Sequence, residues 1–330
     1  MILDFFSERG IKRFVFILFC IIVLFWQKIL AVGEPVVPYS IISVDNLLHA
    51  VAVTNIYLSG CIKLLLLLVC SYCFIITLSV NDVLPKRKYL AVMLFLAVMS
   101  VLTDSLHFAN LLCALLFMLF ALYNGFRIYH SEAIKSLVFT AAFFIGISSM
   151  FSFPFIISSI YVLITLWIFY MVKWRDVISI VLGLLTPFVF LMYFFQLAYH
   201  DINLMWQLIE NSFTESISVS FDNFDILKIA FLGLVFLTGL FSTLKIIAVK
   251  RIKNVYRMTD RLFYFVFFVS VTIFVALYGM QSYAIATFGI SSACLITRLS
   301  QIINRTWFIE FIIFVILFAA IAYNNYSLWL

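Results

Sequence analysis

The side chains able to move protons or hold a phosphate are few in this chain, and they recur beside apolar runs. Four histidines and fifteen acidic residues are spread over 330 positions. Asp45 and His49 stand four apart in Ser43-Val44-Asp45-Asn46-Leu47-Leu48-His49, and Asp104 and His107 three apart in Thr103-Asp104-Ser105-Leu106-His107. A carboxylate beside a low-dielectric surface is pushed toward neutral pH, where it can act as base for an attacking hydroxyl. Each aspartate also has a plain structural use, Asp45 to open a helix and Asp104 to fill a tight turn or cap. Lys28, Lys63 and Lys228 stand near the ends of apolar stretches, at the depth of lipid phosphates. Lysine holds phosphate as a point charge with no motif required; it can also run its stem outward and leave its ammonium in water.

Other chemistries leave no trace. No phosphate-binding glycine loop, dinucleotide fingerprint, HExxH or nucleophile elbow occurs. The six cysteines all fall in apolar segments. Cys70 and Cys73 have a C-x-x-C spacing without a histidine or second pair nearby, which suits packing better than metal or redox use. A divalent metal therefore has no support from the residues themselves.

The elements that must position these groups are membrane helices. Of all residues, 66% are hydrophobic and 11% charged, against roughly 25% charged in soluble domains. Too little polar surface remains to cover a water-soluble globule. Runs near the length that crosses a bilayer lie at about 13–32, 56–79, 89–103, 108–126, 136–153, 155–172, 177–198, 226–248, 262–279, 283–297 and 307–323. The third and tenth are short, as expected of helices tilted, re-entrant or packed inside. With the N-terminus in the cytoplasm, every basic residue except Lys28, Lys63 and Lys228 falls at a cytoplasmic end, eighteen of 21. Lysine and arginine at those ends set orientation. Arg298 reads as one such anchor.

The expectation is an all-α, polytopic helix bundle of about eleven transmembrane helices, a single domain over 1–330, with the C-terminus outside. Its outer loops are 33–55 and 199–225. In the second, Met205, Ile209, Phe213 and Ile217 form an apolar stripe suited to lying on lipid, and Ile217, Val219 and Phe221 alternate as an extended segment would. Pro187 predicts a kink. The basic loop 245–261 orients the chain and offers a surface to anionic lipid or a protein partner. The net charge of +6, so distributed, does not point to nucleic acid.

An outer loop bearing one acid (Asp45), a short outer turn bearing another (Asp104) and a later loop with an amphipathic segment resemble the layout of the GT-C class of membrane glycosyltransferases. Phe144-Ile145-Gly146-Ile147-Ser148-Ser149-Met150-Phe151-Ser152-Phe153-Pro154, Trp174-Arg175-Asp176 and Gly183-Leu184-Leu185-Thr186-Pro187 also look like an uncharacterised family of Bacteroidota membrane proteins. The GT-C resemblance implies a bacterial inner-membrane protein that moves a sugar or glycan from a polyprenyl-phosphate carrier at the periplasmic face. Asp45 would be the base, and Asp104 would orient the acceptor or a metal. Lys63, His49, His107, Lys28 and Lys228 would surround substrate and carrier phosphate. The first loop is shorter than in that class, and Asp104 has no acid beside it. Two other classes stay open: a non-catalytic subunit of an envelope or secretion complex, and a transporter or flippase. The transporter stands last, because no acid is legible in mid-span. A transferase requires Asp45 and Asp104 to converge on one cavity open to lipid.

Overall fold

The computed structural model describes residues 11–30, 42, 44–79, 83–84, 87–102, 108–128, 133–170, 172–200, 202–217, 226–248, 259–261, 263–264, 266–271, 281–303 and 306–326. Within them the chain is helical, with no strand. The helices are α1 (Ile11–Leu30), α2 (Val44–Thr54), α3 (Ile56–Ser79), α4 (Lys88–Leu102), α5 (Phe108–Arg127) and α6 (Ile134–Phe151). A 3₁₀ turn (Phe153–Ser158) leads into α7 (Ser159–Phe169), followed by α8 (Trp174–Tyr199), α9 (Ile202–Ile217), α10 (Ile226–Ala248), α11 (Gln281–Ile302) and α12 (Thr306–Tyr326). The described residues of 259–271 are helical as well. Six of these helices, α3, α5, α6, α8, α10 and α12, are long and apolar enough to cross a membrane. The protein therefore has the character of a multi-pass membrane protein.

Pairwise contacts fix the directions of the helices. Cys70 Sγ reaches the Leu112 carbonyl at 3.3 Å, and Thr77 Oγ1 the Leu119 carbonyl at 3.4 Å. Both partners advance by seven, so α3 and α5 run parallel. The C-x-x-C spacing is spent on this packing, Cys70 and Cys73 both being free and buried.

α6 and α8 are also parallel, and they approach by way of glycine. A methyl on Gly146 would come within 2.8 Å of the Leu184 carbonyl oxygen, and one on Gly183 within 2.6 Å of that of Phe139. Helices in lipid associate through such small residues. Pro187 sits inside α8, which continues through it, and its ring faces Gly146. Two parallel helices need a return between them. α6 ends at Phe151; Ser152 is extended at φ −152° and ψ 105°, and Pro154, in the first turn of the 3₁₀ segment, has no N–H with which to continue α6. The 3₁₀ turn and α7 then supply roughly 28 Å of rise between them, close to a bilayer core.

The two short helices of the sequence reading lie at the centre. α4 is buried from Leu90 to Val101 and α11 from Ala286 to Ser300, and they pack on each other, Phe95 and Val98 lining Gly289. A helix surrounded by protein need not match the thickness of lipid or be apolar all round. In α11 the hydroxyls of Ser291, Ser292, Thr297 and Ser300 bond back to carbonyls one turn earlier, which satisfies them without a partner helix.

Both loops read as outer hold helices. Loop 33–55 contains α2, a helix folded against α3 and α5. Helix α9 does form in 199–225, but Met205 at the head of its stripe is buried, and α9 packs against α8 and the 3₁₀ turn rather than on lipid alone. The alternating segment at 217–221 lies beyond Ile217 and outside the described residues.

Candidate functional site

The elements that carry Asp45, Lys28 and Lys63 meet near the start of α5. The N–H of Val44, at the head of α2, donates to Asn110 Oδ1 at 2.7 Å, and the N–H of Ile42 to the Met150 carbonyl at 3.1 Å. The Asp45-bearing end of α2 is thus tied to α5 and to the end of α6. Phe25 stacks on Phe108 at 5.5 Å, which brings the far end of α1, the turn holding Lys28, to the same place. On α3, Lys63 lies seven residues before Cys70 on the face toward α5 and is 6% exposed. The register of Cys70 with Leu112 sets it level with the N-terminal end of that helix. His49 on α2 is half-buried.

Lys228 stands elsewhere. It is half-buried near the start of α10, which packs on α4, α11 and α12 rather than on α2, α3 or α5. His200 ends α8 in the left-handed region, at φ 53°, where a helix commonly stops. Asp104 and His107 lie outside the described residues, as do the side chains of Asp45 and Lys28. Among the described residues no three His, Cys, Asp or Glu side chains group to hold a metal.

A second polar centre, not expected from the sequence, occupies the opposite, basic end. Arg298 Nε lies 3.3 Å from Asp260, and Arg298 Nη1 donates to Gln301 Oε1 at 3.0 Å. Both ions are buried, the arginine 7% and the aspartate 5% exposed in their side chains. Arg298, expected as an orientation anchor, is thus buried in an ion pair. Burial pushes the Asp260 carboxyl up from 3.8 to about 6, while the Arg298 charge and hydrogen bond pull it back. Desolvation wins because two ions taken out of water lose more than one contact returns.

Arg87 secures the same end. It begins α4 in the left-handed region at φ 64°, and its guanidinium donates to the Ser300 carbonyl. A cation there complements the negative end of the α11 dipole. Neither contact was legible, since 38 residues separate Asp260 from Arg298 and 213 separate Arg87 from Ser300. The one available signal was an aspartate directly ahead of an apolar run, in a loop otherwise basic. No family model, curated protein or solved structure matches the chain.

Proposed function

We propose that the chain is a membrane glycosyltransferase of the bacterial inner membrane, working on a polyprenyl-phosphate sugar at the outer ends of α1, α2, α3 and α5. The observation that carries this reading is the Val44–Asn110 hydrogen bond beside buried Lys63. It holds the start of α2, where Asp45 sits, on the helix that begins four residues after Asp104. Four residues of chain reach at most about 14 Å, which supports the reading in which both aspartates serve one site. In this reading Asp45 takes the proton of an acceptor hydroxyl, whose oxygen forms the new bond to the sugar's anomeric carbon. The bond from that carbon to the carrier phosphate breaks, and Lys63 balances the charge left on the phosphate. Eleven crossings, with the basic ends cytoplasmic, are part of the proposal; the parallel pairs α3–α5 and α6–α8 support the alternation it needs.

The test is complementation of a deletion strain by Asp45→Asn and Asp104→Asn, with surface glycans profiled and membrane levels checked. A variant that inserts normally but loses a glycan supports the transferase and locates the base. Unchanged glycans with both variants would make the outer acids structural. The buried Asp260–Arg298 pair favours a second reading, a transporter or flippase, because ionised groups inside a bundle mark transport pathways.

A further inference from the structure

Helix α7 and the 3₁₀ turn before it present a polar face to α5. Ser158, the last residue of the turn, is followed by Tyr161 and Thr165 at intervals of three and four, the spacing of one side of a helix. All three are buried. From α5 come Met118, Ala121 and Gly125, and the two sets line one cavity. A methyl on Gly125 would stand 3.7 Å from Thr165 Cγ2, an ordinary contact, so the glycine leaves space there that close packing does not demand. The cavity measures about 10 Å³, the least that admits a single water molecule.

The hydroxyls on this face are not alike. Thr165 Oγ1 donates to the Tyr161 carbonyl at 2.6 Å, the backward bond that satisfies a hydroxyl inside a helix. Ser158 Oγ, on a residue 1% exposed, makes no hydrogen bond among the described residues. A buried hydroxyl left unmet costs stability, and such groups are nearly always met by protein or by ordered water. Its place on the cavity wall decides between the two. Apolar walls keep a cavity dry, whereas hydroxyls give water the polar partners it needs, and here they come from Ser158, Tyr161 and Thr165.

We propose that the cavity between α5 and α7 is a binding site for one ordered water, held by Ser158 together with the hydroxyls that share its face. Ser158 Oγ donates to the water oxygen, and the water donates to a neighbouring hydroxyl oxygen; no covalent bond changes. The joint between the 3₁₀ turn and α7 thus meets α5 through solvent, where α6 and α8 meet by direct contact at Gly146 and Gly183. A water so placed satisfies the one hydroxyl of this face that the protein does not. The inference stands apart from the transferase reading.

The experiment is X-ray hydroxyl-radical footprinting of the full chain in lipid nanodiscs. A short pulse makes radicals from bound water in place, and they oxidise the nearest reactive side chains before they can diffuse. Met118 and Tyr161 line the cavity and are buried from bulk solvent, while Met93 on α4 is as buried and does not line it. The expected result is prompt oxidation of Met118 and Tyr161 with Met93 silent, and loss of that oxidation in Ser158→Ala. The variant removes a hydroxyl that bonds to no described protein group, so the fold should hold; the wild-type comparison with Met93 stands by itself if it does not. Met118 and Tyr161 as silent as Met93, which means a dry cavity, or oxidation unchanged in folded Ser158→Ala, would overturn the proposal.

Discussion

At the scale of residues, the buried pair decides the most. Removing one partner leaves the other charge stranded, which costs about 3–5 kcal/mol, whereas replacing both by apolar groups is often neutral. Asp260→Ala should therefore destabilise strongly in detergent unfolding, and Asp260→Leu joined with Arg298→Met should recover most of the loss. The pH dependence has a definite sign. The carboxyl stands at about 6 in the fold against 3.8 ordinarily, so between those values the folded state binds more protons than the unfolded. Its contribution to stability then falls as pH rises from about 4 to about 6, and is level above. Melting temperatures of wild type should drop relative to Asp260→Asn across that window. The opposite slope would mean that Arg298 outweighs desolvation.

At the scale of elements, the α6–α8 contact is set by two glycines and should be intolerant of bulk. Gly183→Ala must push against the Phe139 carbonyl and the Ala142 methyl, and Gly146→Ala against Leu184 and the Pro187 ring. Overpacking of this kind costs about 1–3 kcal/mol. Gly233 on α10 has nothing within 4 Å of its missing methyl, so Gly233→Ala should be neutral or gain up to about 1 kcal/mol of helix propensity. Denaturation midpoints of the three variants would separate a steric contact from a general effect of glycine. The charge at the head of α8 is a smaller device. Asp176 accepts the N–H of Lys173 at 3.1 Å, a cap that also favours the helix dipole.

At the scale of the whole molecule, directions are the testable matter. The eleven-crossing proposal puts the basic ends of α4, α5, α6, α8 and α10 and the Asp260–Arg298 pair on one side. A reporter enzyme active only outside the cytoplasm should be silent when fused after Arg127 or Lys245, and active when fused after His200. Activity after Lys245 would remove the alternation and with it the eleven-crossing proposal. Fusion after the cytoplasmic and outer ends in turn also tests α7, whose break at Pro154 makes it the least regular return.

The sequence by itself determined the multi-pass membrane character, where the six long apolar helices fall, and that a helix lies in 199–225. These follow from composition and short-range period, which partition residues between water and lipid one segment at a time. It showed neither the burial of Lys63 nor the ion pair of Arg298. Only the tertiary structure decided these, along with the Val44–Asn110 bond, the close approach at Gly146 and Gly183, and the burial of α4 and α11. Lipid tails are as apolar as the helices they surround, so no hydrophobic pattern says which helices meet. That choice rests on a few short-range contacts between residues far apart in the chain.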